Sequence, residues 1–386
     1  MRTPPHWRLS AWYFFYFAYI GAFAPYFTLY LQSLGFAAAD IGILMTLGPV
    51  MRLVAPAFWG WFSDHLGRRV PIIRFSAALT ALAFLSFFAT AGFWGVLVGI
   101  GLTFFFWTAA HPLVEALTLD HLRGRAEEYG HVRLWGSVGF VVAVLGVGAV
   151  LDVAPLISLL WICLALLCGI VACSGVLSEA QATPAGRPVP SLRLGLMRPE
   201  VIALLAACFF MSAAHGPLYV FFSIHLVDHG YGKTLVGALW SLGVIAEIVV
   251  FMFMRRMMNR FSLRGILLAS FALAVLRFLI IGWRVESLPL LLAAQLMHGA
   301  TFGAYHAAAV AALNRWFPSQ QQGRVQALYG SVSFGGGGML GNFVSGLAWS
   351  ALGAGWTYTL GAGFALIGWL LVWRGMSAEP PRQLVQ

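Results

Sequence analysis

The chain has 386 residues, of which 60% are hydrophobic and 9% charged, so it cannot cover a water-facing surface of its own. That excludes the two or three soluble domains its length would otherwise suggest, and makes lipid the solvent for most of it. The formal net charge of +10 would suit nucleic acid, but the basic residues fall in short gaps between long apolar runs, the distribution that membrane topology signals produce.

About 20 apolar residues cross a bilayer as a helix. In chain order the sequence predicts twelve such helices, at roughly 10–32, 40–63, 70–90, 94–119, 130–151, 154–176, 199–227, 233–256, 262–283, 287–314, 322–350 and 355–375. The opening residues, with Arg2, Pro4, Pro5 and Arg8, lead into a full-length apolar span instead of a short segment with a cleavage site, so no signal peptide is expected. Most connections are a few residues long, which makes neighbouring helices antiparallel. The polar stretch 177–198 carries Pro184, Gly186, Pro188 and Pro190 and is expected to be a cytoplasmic linker. It divides an N-terminal six-helix bundle, 1–176, from a C-terminal one, 199–386. Eighteen of the 23 Lys and Arg residues fall on one side of this arrangement; by the positive-inside rule that side, with both termini, is cytoplasmic. Cys163, Cys168, Cys173 and Cys208 lie inside apolar segments without metal-ligand spacing, so neither a metal nor a cofactor is expected.

An internal repeat decides the architecture. Shifting the chain by 195 places Gly35 on Gly230, Gly42 on Gly237, Arg52 on Glu247 and Arg69 on Arg264; by 194, Leu134-Trp135-Gly136-Ser137-Val138 falls on Leu328-Tyr329-Gly330-Ser331-Val332. Both matches link span n to span n + 6, which keeps membrane orientation, so the halves are parallel repeats. Between spans 2 and 3, Gly60-Trp61-Phe62-Ser63-Asp64-His65-Leu66-Gly67-Arg68-Arg69 resembles the G-x-x-x-D-x-x-G-R-R signature of the major facilitator superfamily. The resemblance implies an all-α membrane protein of twelve helices, with Gly60, Asp64, Gly67, Arg68 and Arg69 in a gating loop. Gly60 is expected to permit close helix approach, Asp64 to pair or cap a neighbour, Gly67 to turn the chain, and the arginines to hold the loop in the cytoplasm. The second-half copy is degraded, with Asn259 and Ser262 at the Asp64 and Gly67 positions. The run Gly335-Gly336-Gly337-Gly338 inside span 11 is expected to allow close packing and bending.

Ionisable residues at membrane depth are costly and mark function. Arg52, Glu115, Arg133, Glu247 and Arg277 lie inside the spans, and His111, His215, His225, His298 and His306 accompany them; together they are expected to share a polar cavity. Glu115 followed by Tyr129-Gly130-His131-Val132-Arg133-Leu134-Trp135-Gly136-Ser137-Val138-Gly139, and Trp240-Ser241-Leu242-Gly243-Val244-Ile245-Ala246-Glu247, resemble the lactose permease family and, more closely, the phenylpropionate permease family. The resemblance implies substrate binding by Glu115 and Arg133 and proton coupling through Glu247, Arg277 and His298; Arg52, as a charge at membrane depth, and Phe140 are expected to join the substrate-binding set. Three positions depart from the lactose permease pattern: Phe140 stands where that family stacks a sugar on tryptophan, and Gln295 and Thr301 replace a lysine and a proton-carrying glutamate of span 10. Glu247, hydrogen-bonded to His298, is the first choice for the carrier and Glu115 the second. For His298, packing and function stay open.

Three arginines against two carboxylates leave room for an anion, and a guanidinium fork suits a carboxylate. With the aromatic run Trp12-Tyr13-Phe14-Phe15-Tyr16-Phe17-Ala18-Tyr19 in span 1, the expected function is proton-coupled import of a small organic solute such as an aromatic carboxylate. Alternatives are a sugar or nucleoside proton symporter and a multidrug efflux carrier. An intramembrane enzyme lacks every familiar catalytic motif here, and a receptor would need a soluble output surface that the loops do not supply. The expected partners are a small-molecule substrate, a proton and the bilayer, with no nucleic acid. A monomer in a bacterial-type inner membrane, working by alternating access, is expected.

Overall fold

The computed structural model describes residues 6–122, 125–180 and 192–377, apart from the side chains of Asp64, Ala126 and Glu127. Every regular element among the described residues is helical. First come α1 (His6–Ser33), α2 (Ala38–Leu66), α3 (Val70–Phe84), α4 (Ser86–Ala89), α5 (Phe93–His121), α6 (Ala126–Val153) and α7 (Ser158–Val176). After these follow α8 (Arg193–Leu196), α9 (Pro199–Ala214), α10 (Gly216–Asp228), α11 (Lys233–Arg260), α12 (Leu263–Trp283) and α13 (Leu288–Leu296). A π-helical turn (Gly299–Ala304) leads into α14 (Tyr305–Trp316); α15 (Ser319–Gly330), a second π-helical turn (Ser331–Gly337) and α16 (Gly338–Gly375) complete the chain.

Ten helical stretches among the described residues are long and apolar enough to cross a membrane. One of them, Ser319–Gly375, has 57 residues, far more than a crossing needs, and it leaves helical geometry at Gly353 (φ 80°, ψ 179°). It therefore makes two crossings. The twelfth is α13 to α14, where the first π-helical turn interrupts the α-helical run and so hides one apolar span in two short helices. The seventh crossing is likewise broken, at His215, because Pro217 has no N–H to offer the preceding turn.

The chain forms two compact units, residues 1–185 with 230–241, and 186–229 with 242–386. In the first, α1 packs on α6 and α7, while α5 packs on α2 and α3. In the second, α16 packs on α9, α10 and α12. The repeat is legible in the backbone. Gly35 and Gly230, matched by the 195-residue shift, both take a left-handed conformation (φ 86° and 83°), and each ends the first crossing of its half with a turn that a Cβ would strain.

Close crossings repeat as well. A Cβ on Gly139 would strike the carbonyl oxygen of Phe14, and one on Gly337 that of Phe209; Phe14 and Phe209 are again 195 apart. A Cβ on Gly21 would lie 2.5 Å from the Phe140 carbonyl oxygen. These glycines let backbones touch, which is how helices gain packing energy where no hydrophobic effect separates them from lipid. Gly139→Val should therefore destabilise the protein by about 1–3 kcal/mol, read as a lower melting temperature in detergent. Gly146→Val on the same helix, where a Cβ meets nothing within 4 Å, should leave it unchanged.

Candidate functional site

The first unit gathers its costly side chains from three helices. Tyr13, Tyr16 and Phe17 come from α1, His111 and Glu115 from α5, and Tyr129 and Arg133 from α6. The guanidinium carbon of Arg133 lies 3.9 Å from the centre of the Phe17 ring and 5.6 Å from that of Tyr13, a cation–π arrangement. Gly136, one turn along α6, makes it possible: a Cβ there would come within 2.7 Å of both Arg133 Nη1 and the Phe17 ring. Tyr16 stacks on Trp107 at 4.6 Å and lies 5.1 Å from His111, so the wall beside Arg133 is a continuous set of aromatic faces.

Glu115 is partnered by a hydroxyl. Its Oε1 accepts a 2.7 Å hydrogen bond from the Tyr129 hydroxyl, and its Oε2 is 4.0 Å from His111 Nδ1. Among the described residues no carboxylate lies within ion-pair distance of Arg133. A tyrosine neutralises nothing but satisfies the carboxylate, and the guanidinium rests on rings. Tyr129 opens the motif that carries the family resemblance, which is the signal that could have singled it out. Arg52 on α2 is exposed and has no ion pair among the described residues. Phe140 is half-buried two turns from Arg133, its backbone under Gly21.

The second unit holds a tighter cluster. His298 Nε2 is 2.7 Å from Glu247 Oε1. Three glycines bring the helices together there: a Cβ on Gly299 would lie 2.6 Å from the Ala246 carbonyl oxygen, one on Gly243 3.1 Å from the His298 ring, and one on Gly303 3.5 Å from the Glu247 Cα. The π-helical turn begins directly after His298, and such turns recur at functional sites. His298 is therefore a partnered residue and not packing alone. Arg277 is 0% exposed and donates from Nη1 to Thr301 Oγ1 at 3.1 Å and from Nη2 to Gln295 Oε1 at 2.8 Å. The two span-10 departures from the lactose permease pattern are the two side chains that hold this arginine. Both acceptors are neutral.

At the signature loop, Gly67 caps α2 in a left-handed conformation (φ 62°) and donates its N–H to the Ser63 carbonyl at 3.0 Å. Arg69 pairs with Asp120 at the end of α5, and Arg68 is exposed. Arg74 donates to the carbonyls of Ser174, Gly175 and Leu177, at 3.2, 2.9 and 2.9 Å, closing the end of α7. The side chain of Asp64 lies outside the described residues. At Gly60 a Cβ would meet nothing within 4 Å among the described residues. In the Gly335–Gly338 run, Gly337 does lie against the α9 backbone, as the expected close packing requires. The four cysteines are free, and among the described residues no three His, Cys, Asp or Glu side chains converge on a metal site.

Residues 6–360 match the model of the MFS_1 like family. The chain is 31% identical over 355 residues to a probable 3-phenylpropionic acid transporter of Escherichia coli (strain K12), covering 90% of this chain and 92% of that one. It is 27% identical over 345 residues to a maltose permease of Geobacillus stearothermophilus, covering 86% and 85%. A crystal structure of a mutant nucleoside transporter NupG superposes with a TM-score of 0.85 at 15% identity, covering 96% of this chain and all of that one. All three similarities are to membrane transporters and none is to an enzyme.

Proposed function

The chain belongs to the MFS_1-like family of transporters, and on that premise we propose that it imports a small aromatic carboxylate together with a proton. One observation carries the substrate class: Arg133 presents its guanidinium donors beside aromatic faces with no carboxylate among the described residues within ion-pair distance. A substrate carboxylate supplies the missing acceptors in a fork geometry, and its ring can lie beside Phe17, the partly exposed member of that aromatic set. The E. coli relative, named for 3-phenylpropionic acid, supports the same class.

The proton is carried by Glu247 with His298, a carboxyl–imidazole pair that can hold or release one proton without leaving either group unpartnered. Arg277, fixed by neutral groups, keeps a positive charge near that pair. Substrate binding at Arg133 and protonation at Glu247 license reorientation of the loaded carrier. The carrier works as a monomer in a bacterial inner membrane, with both termini in the cytoplasm, where most of the arginines fall.

A sugar or nucleoside symporter is the second reading, favoured by the maltose permease and NupG similarities and by the Glu115–Tyr129 pair, which suits hydroxyls. Uptake into proteoliposomes under an imposed pH gradient separates the two. We expect 3-phenylpropionate to accumulate when the outside is acid and to leak back when a protonophore is added, with maltose and uridine excluded. Accumulation of maltose or uridine instead would replace the substrate class, and accumulation of 3-phenylpropionate indifferent to the gradient would remove the proton.

A further inference from the structure

His215 stands at the break between α9 and α10 and has no part in the function proposed above. It is 2% exposed, and its Nδ1 lies 2.8 Å from the carbonyl oxygen of Met211. A carbonyl only accepts, so Nδ1 carries the hydrogen and, in the neutral ring, Nε2 holds a bare lone pair. That Nε2 is buried without a partner, and so are Nδ1 of His298 and Nε of Arg277. Buried polar atoms left unpaired are rare and call for an explanation each.

The three belong to one neighbourhood. The His215 and His298 rings are 6.0 Å apart between centres. Arg277 bonds Gln295 and Thr301, the residues three before and three after His298 in the tenth span, so its guanidinium is held beside the segment that carries that imidazole. The other titratable groups facing His215 are Tyr219 on its own helix, Glu247 through His298, and Tyr305 across a small, partly open cleft that Ser212, Phe302 and Ser333 also line.

We propose that Arg277 Nε, His298 Nδ1 and His215 Nε2 bind one water molecule, and that this water extends the proton path from the Glu247–His298 pair to His215 and the cavity beside it. The stoichiometry of donors fits. With Glu247 ionised, His298 Nε2–H donates to the carboxylate and Nδ1 is bare; the water accepts from Arg277 Nε–H and donates to both imidazoles. With Glu247 protonated and donating to Nε2, His298 carries its hydrogen on Nδ1; the water accepts from Arg277 and His298 and donates to His215. In both states one molecule that offers two hydrogens and two lone pairs satisfies all three of these protein atoms.

The transfer balances. A proton arriving on His215 Nε2 passes to the water oxygen, one of the water's own hydrogens passes to His298 Nδ1, and the hydrogen on His298 Nε2 passes to Glu247 Oε1. One proton has moved, the water is intact, and His298 has changed tautomer without gaining charge. This path rests on the reading of Glu247 as proton carrier, whereas the water site does not.

Radiolytic hydroxyl-radical footprinting of the whole protein in lipid nanodiscs tests the site, because radicals formed from a bound water mark side chains that bulk solvent cannot reach. His225 is the reference: it is also 2% exposed, but its Nε2 is satisfied by the Ile281 carbonyl at 3.1 Å. His215 and His298 should be modified about tenfold faster than His225; modification at the His225 rate overturns the water site. The path is tested by the ratio of gradient-driven 3-phenylpropionate uptake to its counterflow. That ratio should fall about tenfold in His215→Leu, the worth of one buried hydrogen bond, and recover in His215→Gln, whose amide can still meet the water. An unchanged ratio in a folded His215→Leu protein, beside positive footprinting, leaves the water structural and overturns the path. If gradient-driven uptake survives in Glu247→Gln, the carrier assignment fails instead, and footprinting still decides the site.

Discussion

Arg133→Ala is expected to raise the KM for 3-phenylpropionate about a hundredfold, equivalent to about 3 kcal/mol, while the protein still inserts and folds. The loss follows from removing a charge-assisted fork that no other side chain of the first unit replaces. Folding survives for a structural reason: Arg133 makes no ion pair within its unit, and Glu115 already has the Tyr129 hydroxyl, so the truncation strands no buried carboxylate. Arg133→Lys should recover little, because an ammonium is a point charge and cannot lie flat on Phe17 while meeting both carboxylate oxygens. Initial-rate uptake in proteoliposomes measures both variants. A normal KM in Arg133→Ala would remove the anion site from α6, and one in Arg133→Lys would remove the need for a fork.

Glu247→Gln should abolish gradient-driven accumulation, lowering net uptake about a hundredfold at acid outside pH, and should flatten its pH dependence. The amide keeps the size of the carboxyl group and can still hydrogen-bond His298 Nε2, so the glycine-lined crossing of α11 with the tenth span stays packed. What it cannot do is gain and lose a proton. Uptake as a function of outside pH, with membrane potential clamped, reads this directly. A variant that still accumulates 3-phenylpropionate against its gradient would return the proton to Glu115, the other carboxylate at membrane depth.

Much of the fold was legible because lipid allows few alternatives. A crossing must satisfy its backbone within one helix and must be about 20 apolar residues long, so the apolar runs could be read off directly, including the two that the π-helical turns and Gly353 disguise as shorter or longer helices. The broken seventh crossing was less visible. It needed the recognition that Pro217 leaves a carbonyl unmet one turn earlier and puts His215 at a discontinuity instead of in mid-helix.

The candidate site divides differently. Arg133, Glu115, Glu247, Arg277 and His298 stood out by residue type, since each would be expensive in hydrocarbon. Their partners did not. Glu115 turned to the Tyr129 hydroxyl, and Arg277 turned to Gln295 and Thr301, read from the sequence only as absences of charge. Phe17 was one aromatic among many until Gly136 opened a place for its ring beside the guanidinium.

The sequence by itself determined the solvent, the twelve crossings, the repeat and the set of residues too costly to be idle. These depend on transfer free energies and segment length, which are properties of local composition. Only the tertiary structure decided who pairs with whom, because helices that are apolar nearly all round carry little information about which face turns inward. That rotation is fixed by where two backbones can touch. Here it was fixed at glycines such as Gly21, Gly139, Gly299 and Gly337, whose partners lie on other helices and far away along the chain.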